Sequence, residues 1–300
     1  MITAIVDLGS NTIRLCVYDC NEGVAKMIFE RKTMAGLVNF IEDKKLSNKG
    51  IHRACDILIE YKDVLNNFQS DNIDVHVFAT ASLRNIKNTE EVLESIKDLT
   101  GFEVDLISGK DEALLDFMGA TRLFRYENGV LVDIGGGSTE IVVFKNREVV
   151  SANSFPVGSL NMYVKHVNKI IPKEKEREAI RKDVSDNLKA LDLKQETIRT
   201  ICGVGGTIRA AGKLNNGVYN LPSTNIDVDL KHVREILDSV QNSKKSTLKP
   251  LLQNVPDRIH TIIPGLIILD TIAEYFGSQN IVISRYGVRE GYLYERVMKK

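Results

Sequence analysis

Short apolar runs and helical periodicities alternate along the chain. Thr3 to Val6 reads as a strand, Asp7 to Asn11 as a tight turn, and Ile13 to Tyr18 as a second strand, so a hairpin opens the fold. Residues 48–68 place apolar side chains at helical spacing, and VHVFAT at 75–80 is a buried strand ending just before Ser82-Leu83-Arg84. A helix over 89–99, a strand over 103–107, and Ser108-Gly109 opening the helix EALLDFMGATRLF complete the first part. Further on, 172–191 alternates charge signs at helical spacing, the pattern of a solvated helix face. Thr200 to Cys202 forms a strand that runs into Gly203-Val204-Gly205-Gly206-Thr207 and the helix-like IRAAGKL. The polar, lysine-bearing 241–249 reads as a loop, 264–273 as a buried helix with Pro264 near its start, and 281–284 as a last core strand. A closing helix from about 286 to 300 is expected to pack back on the first half. Strands interleaved with helices predict an α/β architecture.

The chain also repeats itself. Strand, Asp7-Leu8-Gly9-Ser10-Asn11-Thr12, strand is echoed by strand, Asp133-Ile134-Gly135-Gly136-Gly137-Ser138-Thr139-Glu140, strand, at an offset of 126 residues. That is a domain-sized period, too long for a solenoid. A length of 300 residues also exceeds one ordinary core. Two related domains are therefore expected, 1–125 and 126–300, divided around Tyr126 to Gly129.

Composition narrows the class. Hydrophobic residues at 43% and charged residues at 27% match the globular average and exclude disordered, collagen-like and disulfide-scaffold chains. Forty basic residues cancel forty acidic ones, so the overall field expected of a nucleic-acid binder is missing. Asp7 interrupts the N-terminal apolar run too early for a signal-peptide core, and Ile262 to Leu269 is too short to span a bilayer. Cys16, Cys20, Cys55 and Cys202 show neither CxxC nor paired zinc spacing, as reduced thiols of a cytoplasmic protein would not. The five histidines form no HExxH pair. Expected partners thus include neither membrane nor nucleic acid.

Glycine, at 21 residues against 6 prolines, clusters in three turns that each follow a short apolar strand. Backbone N–H groups in such turns form concave anion sites, and glycine lets a phosphate oxygen approach closely. These turns propose Gly9, Ser10 and Asn11; Gly135, Gly136, Gly137, Ser138 and Thr139; and Gly205, Gly206 and Thr207 as phosphate contacts. Any one alone is equally an ordinary turn. GVGGTI lacks the third glycine of a dinucleotide fingerprint, and no G-K-[ST] follows at P-loop spacing. Asp7 and Asp133, where strand meets turn, suit a magnesium ion held beside bound phosphates; turn capping is the alternative.

In order, DLGSNTIRL, ATASLRN, ISGKDEALLDFMGA, DIGGGSTEIVV, GVGGTIRAA, DRIHTIIPGL and GVREGYLYE make the whole chain resemble the exopolyphosphatase and guanosine pentaphosphate phosphohydrolase family. The resemblance implies an actin-like ATPase fold, with two ribonuclease-H-like domains and an active-site cleft between them. It implies Glu112 as general base, with Asp111 a supporting or surface residue. Arg84 and Arg258 are implied as phosphate ligands, Arg84 also serving catalysis. Asp133, Gly135, Ser138 and Glu140 match the second phosphate loop, Glu140 positioning water or metal beside Asp7 and Asp133. His260 stands where relatives often carry an acid. A homodimer is the implied assembly, and magnesium the implied ion, with manganese or potassium as alternatives. Longer relatives add a C-terminal HD-like domain that this sequence does not show.

The chemistry implied is exopolyphosphatase action, releasing orthophosphate from the end of inorganic polyphosphate, with guanosine pentaphosphate the close second substrate. A superfamily sugar or acid kinase is a rival reading, although the SGKDEA segment favours water as acceptor. A guanosine-phosphate sensor without turnover is another, opposed by retention of Glu112, Asp133 and Glu140. Lys165, His166, Lys169, Lys231, Arg234, Lys244 and Lys245 either line a polyanion path or are solvated charges, and the second is the plainer reading.

Overall fold

A computed structural model describes residues 1–68, 72–122, 127–191, 193, 197–240 and 245–299, without the side chains of 245–247. The chain forms two compact units, Met1–Asp111 with the residues from Arg296 onward, and Glu112–Glu295. The division expected at 125/126 lies outside the described residues.

The first unit contains β1 (Ile2–Leu8), β2 (Thr12–Asn21), β3 (Val24–Met34), the two-residue β4 (Ile41–Glu42) and β5 (Lys45–Leu46), α1 (Asn48–Asn66), β6 (Ile73–Ala79), α2 (Ala81–Arg84), α3 (Thr89–Thr100) and β7 (Val104–Leu106). Its main sheet has the order β3-β2-β1-β6-β7, antiparallel through β1 and parallel beyond it. Alternation along β1 sends Ala4, Val6 and Leu8 to one face, where they meet Ile51, Ala54, Leu58, Tyr61 and Leu65 of α1. Those helix positions recur every three or four residues, which explains why 48–66 folds as a helix against this sheet. The Tyr61 hydroxyl, fully buried, donates to the carbonyl of Ile13 at 2.8 Å.

Helix α4 (Gly109–Thr121) leads into the second unit, which holds β8 (Gly129–Ile134), β9 (Thr139–Lys145), β10 (Glu148–Phe155), α5 (Ser159–His166), α6 (Glu174–Ala190), β11 (Thr200–Val204), α7 (Gly205–Val218), β12 (Asp227–Asp229), α8 (Leu230–Ser239), α9 (Lys245–Asn254), α10 (Ile262–Phe276), β13 (Asn280–Ile283) and α11 (Val288–Tyr292). Its sheet order is β10-β9-β8-β11-β13-β12. Both faces are covered. Val130, Val132, Ile134, Ile141 and Ile201 pack with α6, α7, α8 and α10, while Leu131, Val142, Phe144, Cys202 and Val204 pack with Ala113, Phe117 and Ala120 of α4.

The repeat seen in sequence is a repeat in space. Asp7 lies opposite Arg14 and Leu8 opposite Ile13 in the first hairpin; Asp133 lies opposite Glu140 and Ile134 opposite Thr139 in the second. On the parallel side Phe78 neighbours Asp7 and Val204 neighbours Asp133, keeping the same offset. The third antiparallel strand of each sheet, β3 and β10, carries less regular apolar alternation and was not expected from sequence.

Three expectations change. Of the loop expected over 241–249, residues 241–244 lie outside the described residues and 245–249 belong to α9, because Leu248 and Leu251 turn toward the core of the second unit and Val255 continues that face. Gly205 to Thr207 form the first turn of α7, not a free loop before it. The closing helix is short: α11 ends at Tyr292, a π-helical turn covers Leu293–Val297, and α11 itself belongs to the second unit. Only the end returns to the first unit, where the Arg296 guanidinium meets Asp105 at 2.8 Å and Asp111 at 3.4 Å.

Candidate active site

Period-two alternation decides where the acids of the second unit go. Leu131 on β8, and Val142 and Phe144 on β9, face α4, so Asp133 and Glu140 face it too. Helix α4 presents Ala113, Phe117 and Ala120 to that surface, and Glu112 is buried beside them, 8% exposed. The Glu140 carboxylate, 1% exposed, accepts hydrogen bonds at 2.7 Å from the hydroxyls of Ser138 and Ser154. Ser108 caps the helix from the preceding loop: its hydroxyl accepts from the Asp111 amide at 3.1 Å and donates to the Asp111 carboxylate at 2.9 Å. Asp111 is thereby a capping residue that also meets the Arg296 guanidinium.

The second loop is shaped from behind. The Gly135 carbonyl accepts from the Ser159 amide at 2.9 Å and its hydroxyl at 3.1 Å, the Gly136 carbonyl from the amides of Leu160 and Asn161 at 3.0 Å, and the Gly137 carbonyl from Asn161 Nδ2 at 2.8 Å. In a trans peptide the C=O and the next N–H point in opposite directions. Three carbonyls turned to the start of α5 therefore turn the amides of Gly136, Gly137 and Ser138 the other way, as a nest for an anion. The hydroxyls of Thr139 and Thr207, both expected as phosphate contacts, are engaged within the fold, the first donating to the Val157 carbonyl at 2.5 Å and the second meeting Ser159 Oγ at 3.2 Å.

Asp133 is pressed against the start of α7. Gly205 has φ of +80°, and a Cβ there would lie 1.8 Å from Asp133 Oδ1. Glycine is required twice over, by conformation and by space. At the next residue the Arg258 guanidinium packs on Gly206, where an added Cβ would come within 2.3 Å of Nη2. An arginine and the positive end of a 14-residue helix thus stand at the same turn. His260, two residues on, stacks on Tyr163 with ring centroids 5.2 Å apart.

The first unit builds its loop the same way. The Ser10 carbonyl accepts from the Val38 amide at 3.3 Å and the Asn11 carbonyl from the amides of Ala35 and Gly36 at 3.0 Å, directing the Asn11 and Thr12 amides to the opposite side. Gly9 donates to the Thr12 carbonyl at 3.1 Å, as Gly135 does to Ser138 at 2.9 Å. The Ser82 hydroxyl binds the Leu8 carbonyl and ties α2 to the turn, and Arg84 ends α2 with Nη1 on the Ile107 carbonyl at 3.1 Å.

One acid went unrecognised in the sequence. Asp116, one turn beyond Glu112 on α4, is 1% exposed, and no donor in hydrogen-bonding geometry meets either carboxylate oxygen. Burial pushes its carboxyl well above the usual range, and the charges of Asp133, Glu112 and Glu140 push the same way; the Val288 amide opposes them weakly. The i, i+4 spacing from Glu112 was the available signal, but inside an apolar helix it reads as one polar position among many. Among the described residues no three His, Cys, Asp or Glu side chains form a ready-made metal site. Magnesium does not need one, since it is commonly held by one or two carboxylates together with substrate phosphates, and Asp133 and Glu140 offer that donor set.

Four of the scattered cations are engaged elsewhere. Lys165 and His166 both meet Asp183, at 2.6 and 2.7 Å, Lys231 approaches Glu235 at 3.8 Å and Arg234 binds Asp270 at 2.8 Å. The side chains of Lys244 and Lys245 lie outside the described residues. All four cysteines are free and buried, and among the described residues no helix is long and apolar enough to cross a membrane.

Residues 16–300 match the model of the Ppx/GppA phosphatase family. A bifunctional 3-dehydroquinate synthase/phosphatase of Fusobacterium nucleatum is 28% identical over the whole of this chain, which spans 47% of that protein. A putative exopolyphosphatase of Haemophilus influenzae is 24% identical, with 97% of this chain and 90% of the relative aligned. A guanosine-5'-triphosphate,3'-diphosphate pyrophosphatase of Aeromonas hydrophila is 26% identical over 97% of this chain and 58% of its own length. The crystal structure of an Aquifex aeolicus member of the Ppx/GppA family superposes with a TM-score of 0.78 at 27% identity, covering 100% of this chain and 98% of that one.

Proposed function

The chain belongs to the Ppx/GppA phosphatase family, and from that premise we propose that it hydrolyses the terminal phosphoanhydride of inorganic polyphosphate and releases orthophosphate. The observation that carries the proposal is Glu112 buried on the α4 face of the second sheet, the face that also receives Asp133 and Glu140.

Glu112 orients a water molecule and takes its proton as the oxygen attacks the terminal phosphorus. The bond from that phosphorus to the bridging oxygen breaks, and the shortened chain leaves with the electron pair. The Gly136 to Ser138 amides, Arg258 and the first turn of α7 offset charge on the phosphoryl oxygens; Gly9 to Asn11 and Arg84 are further proposed phosphate ligands. A divalent cation held by Asp133 and Glu140, with Asp7 as a further carboxylate, would neutralise developing charge. Magnesium is the proposed ion, with manganese or potassium as alternatives; a homodimer in the cytoplasm is the proposed setting.

Guanosine pentaphosphate is the second reading, supported by the Aeromonas relative, because it presents the same terminal phosphate to the same loops. The test is phosphate release by the purified chain from polyphosphates of several lengths and from guanosine pentaphosphate, with and without magnesium. Glu112→Gln is expected to lower the rate by about 10²- to 10⁴-fold. Wild-type release by that variant, or phosphate transfer to a sugar with none released from polyphosphate, overturns the reading.

A further inference from the structure

Two hydroxyls hold Glu140, and one of them, that of Ser154, has no part in the mechanism above. Register puts Ser154 there. Between β9 and β10 the pairs Glu148–Lys145 and Val149–Phe144 are followed by Ser151–Val143, so one extra residue, Val150, is inserted in β10. Val150 is exposed, as the extra residue of a bulge on an edge strand can be. Had the first register continued, Asn153 would stand opposite Glu140; the shift brings Ser154 there instead. Alternation agrees with register. Phe155 packs on the side of α6 and α10, whereas Ala152 packs with Leu131, Val142 and Phe144 on the α4 side, so Ser154 shares the α4 side with Glu140. Asp133, Glu140 and Ser154 thereby form one row across β8, β9 and β10.

Both donors reach the same oxygen. Ser138, two residues before Glu140 on its own chain segment, and Ser154, across the strand pair, each donate to Oε1 at 2.7 Å. Burial removes the water that would otherwise solvate this carboxylate, and hydrogen bonds to a charged acceptor are the strong ones that can replace it. A glutamate side chain also has three torsions to fix. Two donors anchored on different segments restrict where Oε1 sits and how the carboxylate plane turns, which a reaction sensitive to small displacements requires. We propose that Ser154 is a positioning residue: together with Ser138 it fixes the Glu140 carboxylate in the orientation that phosphate release uses. The inference rests on the phosphatase reading for the reaction, but not for the placing of the carboxylate.

The test is phosphate release from polyphosphate by the full chain carrying Ser154→Ala or Ser154→Thr, alone and combined with Glu140→Gln, together with crystal structures of the wild type and Ser154→Ala. Ser154→Ala is expected to lower kcat about tenfold with KM nearly unchanged. Ser154→Thr keeps the hydroxyl and should recover most of that loss. In the Glu140→Gln background Ser154→Ala should change kcat by less than about twofold, because its effect passes through the acid already removed. In the crystal of Ser154→Ala the Glu140 carboxylate should be turned from its wild-type orientation. A kcat of Ser154→Ala within about twofold of wild type overturns the inference, as does an equal loss in the two backgrounds or a collapse of the fold on urea titration. If the wild type releases phosphate and Glu140 has not moved in Ser154→Ala, this inference alone fails. If the carboxylate turns but the wild type releases phosphate from neither polyphosphate nor guanosine pentaphosphate, the phosphatase reading alone fails.

Discussion

The hairpins at Asp7 and at Asp133 share backbone and differ in chemistry. Each has the same register, the same Gly-to-fourth-residue hydrogen bond, and the same device of tethering loop carbonyls to the segment after the third strand. The residue facing the aspartate differs: Arg14 in the first, itself ion-paired to Glu30, and Glu140 in the second, fully buried and held by two serine hydroxyls. The element after the parallel neighbour differs too, four residues in α2 against fourteen in α7. Main chain alone suffices to shape the same turn twice, whereas the buried acids Glu112 and Glu140 beside the second aspartate belong to the second unit.

Substitutions can break or sharpen this contrast. The largest effect is expected from Glu140→Gln, which removes the acid that distinguishes the second hairpin: phosphate release should fall about 10²- to 10³-fold with little change in fold, checked by steady-state kinetics and circular dichroism. A fall of less than tenfold would make the two hairpins equivalent after all. Gly205→Ala comes next. It forces a side chain into a positive-φ position and onto Asp133, and should cost about 2–4 kcal/mol in urea unfolding along with most activity. Ala79→Gly, at the matching place in the first unit, should cost only about 1 kcal/mol. Smaller again is Arg14→Gln, where loss of an ion pair with partly exposed partners should change stability by about 1 kcal/mol or less and leave turnover within twofold.

The smallest effect lies far from either loop. Burial raises the Asp183 carboxyl, but hydrogen bonds from Lys165 and His166 outweigh it and hold the group below its usual value. A depressed carboxyl contributes stability above its unfolded value and loses it as pH falls through the folded one. Asp183→Asn should therefore cost a few tenths of a kcal/mol near neutrality and nothing once the pH drops below the folded value, measured as urea midpoints from pH 7 to pH 2. A cost that persists in acid would mean that the contact is not electrostatic.

Sequence exposed the hairpins because their signal is local: an aspartate ending a strand, glycines at the turn, and an apolar strand resuming at once. The same holds for α1 and α10, whose periodicity or greasiness is carried by their own residues. β3 escaped because it is an edge strand with mixed exposure, which blurs period-two alternation. α9 escaped because its polar, lysine-bearing start hides Leu248 and Leu251, which become core residues only when the second unit surrounds them. Glu112 was found through resemblance, not pattern, and Asp116 through neither, since its character comes from α11 lying across it, contributed by residues about 170 positions later.

The Arg296–Asp105 ion pair joins residues 191 positions apart, yet both belong to the first unit. On a translating ribosome the strands of that unit are ready long before Arg296 is made, so the first unit stays incomplete until the whole of Glu112–Glu295 has emerged. Synthesis order and folding order are thereby separated: the part made first is finished last, and a nascent chain halted between the two has a closed second unit in prospect and an open first one in hand.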